Sequence, residues 1–483
     1  MENSKAIEQA MATKESFVLE DRRIKRYVMG ENTNKRSKAI TMTSGSLWKN
    51  IFLFSVPLMF SQILEIMFNL SDVAVVGQFA DYKALGAVGS TTLLVTLFTS
   101  FLIGMGSGVN VQVALGLGAN NKKAVEKTIH SALLICAFVG IVVAAVGFLF
   151  AENILSMMNT KDEFIDEAVM YLKIYSIGLP AMAVYNFGNG VLSASGDTRR
   201  PLIYLTIAGI LNVILNLFFV IVCNMAASGV ALASAIAQYV SAVLIITNLL
   251  RRKDACRLSV QKICIHRDAA KAVLMIGLPT GFQNAIFAIA NIFVQVGVNS
   301  FDAIIVSGNS AAINADSIIF NVMAAFYTAC ASFIGQNRGA RNKERMIKSY
   351  RISLLYSFLV GALLGILLLV FGRQFLGCFA TEPAVIDAGM NRIHVMWFAY
   401  AVSAFMDCTI AASRGIGKTV VPTIIVIMGS CVFRILWVYT IFAYFHTQAS
   451  LHLLYFFSWT FTAVAEIIYF KVTFHKMMKK MEL

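Results

Sequence analysis

The sequence predicts an all-α membrane protein with twelve transmembrane helices in two pseudo-symmetric bundles of six. Composition is the first reason: 58% of the 483 residues are hydrophobic and only 14% are charged, against about 25% charged residues in soluble proteins. The second reason is that twelve apolar stretches reach the roughly 20 residues that a helix needs to cross a bilayer. The third reason is that the second half of the chain repeats the first.

The predicted spans are apolar runs bounded by polar turns. A helix satisfies its own backbone hydrogen bonds, which is what the interior of a membrane demands. In chain order, we place the spans at residues 51–79, 84–115, 128–150, 165–194, 201–223, 229–250, 271–300, 304–335, 349–371, 388–413, 420–444 and 451–474.

The repeat is visible as short motifs that recur at one spacing. The pentapeptide GANNK at 118–122 recurs as GARNK at 339–343, an offset of 221 residues. In the first span of each half the offset is 222, as Pro57 and Pro279 show. Six spans per half is an even number, so both halves enter the membrane from the same side and form a parallel repeat. Two similar halves can enclose a site between them and rock about it, which is typical of a carrier.

Basic residues mark one side of the predicted membrane protein. Cytoplasmic loops retain Lys and Arg, so we expect both termini in the cytoplasm and the protein in the plasma (cell inner) membrane. We interpret the net charge of +14 as topology and as contact with membrane lipids, not as nucleic-acid binding. The loops on the other side hold few basic residues, and we place Arg373 and Arg392 among them. The basic segments are 1–50, 116–127, 195–200, 251–271, 336–351, 414–418 and the C-terminal tail.

These features divide the chain into five segments. A cytoplasmic N-terminal tail (1–46) precedes an N-lobe of six helices (47–250). A cytoplasmic linker (251–270) leads to a C-lobe of six helices (271–475) and a short cytoplasmic tail (476–483). The eight cysteines have no regular spacing, so we predict neither disulfides nor a cysteine metal site.

The sequence lacks the common catalytic and nucleotide-binding motifs. It contains no Walker A loop, no HExxH and no GxSxG, so we predict neither an enzyme nor an ATP-driven pump. A membrane-embedded hydrolase or transferase is disfavoured because the six histidines are scattered. We expect no cofactor, and the energy for transport must come from an ion gradient unless transport is passive.

The first span carries a polar stripe on one helix face. Gln62, Glu65, Asn69 and Asp72 follow one another at spacings of 3, 4 and 3, which places them on one side of a helix. Acids inside a membrane are costly and therefore candidate functional groups. We expect the stripe to face the bundle interior or a wet cavity. Pro57 removes a backbone hydrogen bond near the start of this span, which favours helix bending there.

The equivalent span of the second half repeats this stripe without its acids. Asn284, Asn291 and Gln295 form the stripe, whereas Phe287 and Val294 stand where the first half has Glu65 and Asp72. The two halves are therefore chemically different, and we include the three amides among the predicted residues of the substrate cavity.

Further polar residues lie in other spans. Asp407 in the tenth span aligns with Asn186 in the fourth, and Arg434 in the eleventh is the only clear base that we predict inside the membrane. Arg434 is expected to pair with an acid, line the cavity or pack between helices. The fifth span adds Asn212 and Asn216, and the sixth adds Ser234.

These groups suit two kinds of coupling ion. Carboxylate, carboxamide and hydroxyl oxygens are ligands for a hard cation such as Na⁺. Asp72 could instead carry a proton, because a low-dielectric surrounding disfavours its charged form. Glu65 is open between a proton site, a cation contact and a structural acid.

Several motifs in this order resemble the multidrug and toxic compound extrusion family, over residues 47–475. The resemblance implies two lobes forming a V, a central cavity, and export of lipophilic cations in exchange for Na⁺ or H⁺. The motifs are VPL at 56–58, SDVAVVG at 71–77, ALGAVG at 84–89, the repeated GA-x-x-K, and Met406-Asp407 followed by AASRG at 411–415.

The resemblance also implies roles for single residues. Asp72 corresponds to the acid of the family's first helix, Pro57 to its bend, and Asn212 and Ser234 to cation ligands of the N-lobe. Asn216 stands where many members have an aspartate, which weakens a Na⁺ site by one charge.

The second lobe matches the family only in part. Asp407 corresponds to the tenth-helix acid of one branch, but the seventh-helix glutamate of that branch is Phe287 here. The identity of the coupling ion is therefore open.

Together these observations predict a monomeric secondary active multidrug efflux transporter that works by alternating access. Small lipophilic cations are the expected substrates, and Na⁺ or H⁺ is the expected coupling ion. The alternative is a flippase for a lipid-linked saccharide or related lipid, whose cavity should be larger and more basic. We expect Asp72, Asn212, Asn216, Ser234 and Asp407 to couple the ion, and Gln62, Glu65, Asn69, Asn186, Asn284, Asn291 and Gln295 to line the substrate cavity.

Overall fold

The computed structural model describes residues 39–158 and 160–481. Most of the predicted N-terminal tail (1–46) and the last two residues lie outside this part. Within it, twelve helices are long and apolar enough to cross a membrane, as predicted. They are α1 (Leu47–Phe79), α2 (Tyr82–Gly118), α3 (Lys122–Leu149), α4 (Ile165–Ala194), α5 (Arg199–Val222), α6 (Ala226–Arg251), α7 (Arg267–Val298), α8 (Ala303–Gly339), α9 (Lys343–Gly377), α10 (Pro383–Gly415), α11 (Val420–Phe445) and α12 (Gln448–Lys480).

Several helices extend beyond their predicted spans. Helix α10 begins at Pro383, since proline fits the first turn of a helix, where its missing N–H is not needed. The final helix continues to Met481, so the described residues of the predicted cytoplasmic tail at 476–483 are helical. Lys479 and Lys480 in its last turn favour this extension, because positive charges stabilise the C-terminal end of a helix. A short helix at Ala151–Met157 was not predicted.

The repeat of the sequence is preserved in the backbone. The Thr198 hydroxyl donates to the carbonyl of Phe54 at 3.0 Å, and the Thr419 hydroxyl donates to the carbonyl of Met275 at 2.7 Å. Both residues of the second pair lie 221 positions after those of the first, so the carbonyl contacted on the first helix is one residue short of the offset of 222 that relates Pro57 to Pro279. Each pair ties the start of a fifth helix to the first helix of the same half. The two bundles are therefore built on one local plan.

The repeat changes register inside α11. This helix contains π-helical segments at Ile427–Val432 and Val438–Phe442, whereas α5 contains one at Phe218–Val222. A π segment accommodates one extra residue in a helix, so the offset between the halves grows from 221 to 222. Burial follows the change: Asn216 and Val438 are buried, as are Val220 and Phe442. Both of these pairs have the offset of 222.

The two bundles contact each other through glycines on α2 and α7. A Cβ atom at Gly104 would collide with the backbone of Gly281, and one at Gly108 would lie 2.7 Å from the Gly277 nitrogen. Helix backbones approach this closely only where side chains are absent. The contact continues to the GANNK and GARNK turns, where Gly118 packs on α8. We call the end of the bundles that carries these two turns the basic end.

A short segment before α1 spans both bundles at the basic end. The amide of Ile40 donates to the carbonyl of Gly196 in the first bundle at 3.0 Å. The carbonyl of Met42 accepts hydrogen bonds from Asn337 Nδ2 at 3.2 Å and Arg345 Nη2 at 3.1 Å in the second bundle. Met42 itself is buried. Separation of the bundles at this end therefore requires these bonds to break.

The linker between the bundles is ordered by polar contacts. Arg252 is buried and donates to Asp254 at 2.5 Å. Burial raises the pKa of Asp254, but the hydrogen bonds and charge of Arg252 together with backbone hydrogen bonds outweigh burial, so the pKa is lowered. The linker also contacts α3, since Ser259 donates its amide to His130 Nε2 at 3.0 Å.

We predict that Gly104→Ala destabilises the contact between the bundles. The added methyl group would meet the backbone of α7, which cannot move aside as a side chain can, and such overpacking costs about 1–3 kcal/mol. Thermal unfolding of the purified protein would measure the loss. Gly377→Ala is the matched control, because nothing lies within 4 Å of its Cβ position. Equal stability of the two variants would contradict the predicted contact.

Candidate functional site

The centre of the first bundle holds a carboxylate surrounded by hydrogen-bond donors. Asp72 on α1 accepts from Asn216 Nδ2 at 2.5 Å and from Ser234 Oγ at 3.1 Å. When the Asn212 amide is oriented with its nitrogen toward Asp72 and its oxygen toward Ser234, Asn212 also donates to Asp72 at 2.9 Å. The three donors are buried and come from α5 and α6. The structure therefore brings together four of the five residues that we predicted to couple the ion.

This cluster also contains an oxygen without a partner. The Asn216 Oδ1 atom is buried and accepts no hydrogen bond, which is costly in a protein interior. A cation next to the carboxylate would satisfy both groups, and amide, hydroxyl and carboxylate oxygens are the ligands that Na⁺ favours. The arrangement fits a small cation, and it also fits a proton on Asp72.

A cavity of about 240 Å³ opens beside the cluster. Asp72, Asn212 and Ser234 form part of its wall. The rest of the wall is mixed: its polar residues are Glu65 and Asn69 on α1, Thr92, Thr96 and Thr99 on α2, and Gln238 and Ser241 on α6. Its apolar side chains include Phe68, Tyr171, Tyr175, Met182 and Leu205.

A second cavity of about 130 Å³ adjoins the first. Gln62 and Asn186 line it, and Glu65 and Gln238 line both cavities. Glu65 makes no hydrogen bond to any other described residue, and Gln238 Oε1 is buried without a partner. Among the residues that the structure describes, no Lys or Arg lines either cavity. We call the two together the acidic cavity.

The polar residues predicted in α7 do not reach this cavity. Asn284 donates to the carbonyl of Ser100 on α2 at 3.1 Å and so joins the two bundles. Asn291 accepts from Arg434 at 2.9 Å. Gln295 donates to Asn299 on its own helix at 2.8 Å. Of the predicted substrate-cavity residues, only Gln62, Glu65, Asn69 and Asn186 therefore line the acidic cavity.

Asp407 lies in the second bundle, apart from the Asp72 cluster. It is half-buried on α10 and lies within electrostatic range of Arg414 and Arg434. Its predicted role in coupling therefore stays a prediction, and it concerns a different site.

The predicted loop position of Arg392 is wrong, and so is the prediction that Arg434 is the only intramembrane base. Arg392 is not in a loop: it is buried in α10 and paired with Asp316 on α8, whose carboxylate also accepts from the Tyr400 hydroxyl at 2.5 Å. Arg434 is therefore not the only base inside the membrane-spanning region. An acid within the apolar run at 304–335 was the available signal for Asp316, because such a charge needs a partner.

A second acid was also missed. Glu466 on α12 is fully buried, and neither of its oxygens has a hydrogen-bond partner. It lies within electrostatic range of Arg414. Its position in an apolar run of the sequence was again the only signal.

Comparison with known proteins gives consistent matches. The MatE family model matches residues 57–218 and 279–440. The probable multidrug resistance protein YpnP of Bacillus subtilis is 27% identical over 363 residues, 75% of this chain and 81% of that protein. The probable multidrug resistance protein NorM of Thermotoga maritima is 26% identical over 392 residues, 78% and 82% of the two chains.

The fold is similar to that of solved structures. An outward-facing multidrug resistance MATE family transporter of the MOP superfamily has a TM-score of 0.85 and 20% identity. The match covers 92% of this chain and 100% of that chain. The arrangement of twelve helices is therefore a known architecture.

We predict that Asn216→Ala lowers the stability of the first bundle. It removes the shortest hydrogen bond to Asp72, and a hydrogen bond to a charged group contributes about 1.5–3 kcal/mol. Denaturant titration of the purified protein in mixed micelles would measure the free energy of unfolding. Asn69→Ala is the matched control, because Asn69 lines the cavity beside Asp72 but is exposed. A loss of equal size in both variants would show that the bond to Asp72 is unimportant.

Proposed function

Because the chain belongs to the MatE family of multidrug and toxic compound extrusion transporters, we propose that it exports lipophilic organic cations in exchange for Na⁺ or H⁺. The acidic cavity is the observation that carries this proposal. It contains two carboxylates, Glu65 and Asp72, and among the described residues it has no basic side chain. A positively charged molecule gains electrostatic attraction there, whereas an anion would be repelled.

The apolar wall of the cavity supports a broad range of substrates. Phe68, Tyr171, Tyr175 and Met182 offer ring faces and a flexible thioether. Ring faces attract cations, and methionine adapts to different shapes. A cation with an aromatic body would therefore be held without a fixed set of hydrogen bonds.

The position of Asp72 in the cavity wall couples ion binding to substrate binding. An ion on Asp72 neutralises the carboxylate and weakens the attraction for a cationic substrate, so ion and substrate compete. The same carboxylate ties α1 to α5 and α6 through Asn216 and Ser234. A proton or Na⁺ on Asp72 changes these bonds and shifts the position of α1, whose Pro57 lacks a backbone donor. Ion binding thus acts on both affinity and conformation.

Alternating access requires the basic end to open and close. In this structure the bundles are joined there by glycine contacts and by the segment around Met42. We propose that the basic end faces the cytoplasm of a cell whose inner membrane holds the protein, with both termini on that side. The substrate enters when this end opens and leaves when it is closed.

A flippase for a lipid-linked saccharide fits the site less well. Such a lipid carries phosphate, and a phosphate group needs Lys, Arg or helix N-termini nearby. The acidic cavity offers carboxylates and amides instead. None of the comparisons described above favours a flippase.

We predict that Asp72→Asn abolishes ion-coupled efflux. Asparagine keeps the size and much of the hydrogen bonding of aspartate but can neither be protonated nor contribute a charge to Na⁺ binding. Ethidium transport in proteoliposomes would be measured with a Na⁺ gradient and a pH gradient imposed separately. The expected result is at least a tenfold loss of the gradient-driven rate, which corresponds to an increase of about 1.4 kcal/mol or more in the activation free energy.

Asp387→Asn is the matched control for this variant. Asp387 is exposed and paired with Arg373 at 2.6 Å, far along the chain from the acidic cavity, so its loss is expected to leave transport unchanged. Unaltered coupling in Asp72→Asn would remove Asp72 from the mechanism.

We predict that Asn216→Asp shifts the protein toward Na⁺. The new carboxylate would lie where Asn216 now contacts Asp72 at 2.5 Å, and two carboxylates that close repel unless a cation or a proton lies between them. The Na⁺ concentration for half-maximal efflux is therefore expected to fall, most clearly at alkaline pH, where protons compete less. An unchanged or increased Na⁺ requirement at every pH would contradict the assignment of these oxygens to ion binding.

A further inference from the structure

The second bundle contains a buried arginine inside a ring of aromatic side chains. The guanidinium carbon of Arg434 lies 4.7 Å from the ring centre of Tyr455 and 5.7 Å from those of Phe287 and Trp459. Arg434 Nη1 donates to Asn291 at 2.9 Å, and the residue is only 2% exposed. We call Phe287, Asn291, Tyr455 and Trp459 the aromatic cage. Rings in this position attract a cation through their π faces.

The repeat relates this cage to the acidic cavity. At the offset of 222 that holds for the first helix of each half, Phe287 corresponds to Glu65 and Asn291 to Asn69. At the offset of 221, Tyr455 corresponds to Ser234. Trp459 corresponds to Gln238 at the same offset, and all four of these counterparts line the acidic cavity.

Burial supports the offset of 221 for α6 and α12. Val230 and Leu451 are both fully buried, and so are Ile245 and Glu466. Both pairs are 221 residues apart. The cage is therefore built from the positions that form the acidic cavity in the other bundle.

The extra residue in α11 determines which side chain of that helix lies in the cage. Beyond the π segment at Ile427–Val432 the offset is 222, so Arg434 corresponds to Asn212, a donor to Asp72 in the first bundle. Asp72 itself corresponds to Val294, which is buried. The carboxylate of one bundle is thus lost in the other, and a fixed positive charge appears beside its position.

We propose that Arg434 is a tethered cation. Its guanidinium group permanently occupies the site in the second bundle that corresponds to the ion and substrate site of the first bundle. The proposal rests on the proposed function in that it takes the acidic cavity as the site of exchangeable cations. The second bundle then binds no exchangeable cation in its cage, because its own guanidinium is already there. Removal of that side chain leaves an empty cage of three rings and one amide oxygen, which fits a free guanidinium-type cation.

Chemical rescue tests this assignment without any transport measurement. The full-length Arg434→Ala protein is purified in detergent, and its Tm is measured with increasing millimolar guanidinium chloride against sodium chloride of equal ionic strength. We expect a Tm below that of the unmodified protein and a saturable rise with guanidinium alone, since a ligand that binds only the folded state raises its stability. The unmodified protein, whose cage is full, is expected to show no saturable rise.

Arg434→Ala combined with Tyr455→Ala is the matched control. It lacks the nearest ring of the cage, so the rise with guanidinium is expected to disappear. No saturable rise in Arg434→Ala, or an equal rise in the control, would overturn the proposal. Failure of the proposed function would appear separately, as absence of ion-coupled cation efflux by the unmodified protein.

A second pair of variants applies if Arg434→Ala does not fold. Arg434→Lys keeps the positive charge and Arg434→Met keeps a similar volume without it. Under the proposal, the Tm of the lysine variant lies closer to that of the unmodified protein than to that of the methionine variant. A lysine variant no more stable than the methionine variant would show that the fixed charge is irrelevant.

Discussion

The cost of a charge inside a membrane governs the arrangement of this protein. Each ionisable group in the apolar interior must be paired, hydrogen-bonded or functional. Arg392 meets the requirement by pairing with Asp316, and Arg434 meets it with three rings, an amide and the nearby charge of Asp407. Asp72 is surrounded by neutral donors instead. A carboxylate held by neutral groups keeps its net charge, and so it remains able to attract a cation.

The two bundles share local backbone contacts but differ in the side chains at corresponding positions. The threonine bonds that tie each fifth helix to each first helix recur 221 residues apart. On this common frame the first bundle places carboxylates beside a cavity, while the second places aromatic rings around an arginine. Under the proposals above, the first bundle binds exchangeable cations beside Asp72, and the corresponding site of the second bundle already holds the guanidinium of Arg434.

Movement between the bundles is constrained by backbone contact. Gly104 and Gly281 allow α2 and α7 to approach so closely that a single methyl group would not fit. The hydrogen bonds of Met42 to Asn337 and Arg345 add a polar connection at the basic end. Contacts of this kind are short and local, so in the proposed alternating-access cycle they form and break together. In the proposed function, they contribute to the free-energy difference between open and closed states on which ion binding acts.

The sequence by itself determined the number of helices, the duplication and the stripe of polar residues on the first helix. Hydrophobic length and residue spacing are local properties, and a membrane leaves a helix little alternative. Family resemblance added the grouping of Asp72 with Asn212 and Ser234. Only the tertiary structure decided that Asn284 joins the bundles and that Arg392 is buried against Asp316, because both depend on which helices are neighbours. The same holds for Arg434: its place opposite Asn212 results from one extra residue in a π segment, which changes the direction of every later side chain in α11 and leaves no mark in the hydrophobic pattern.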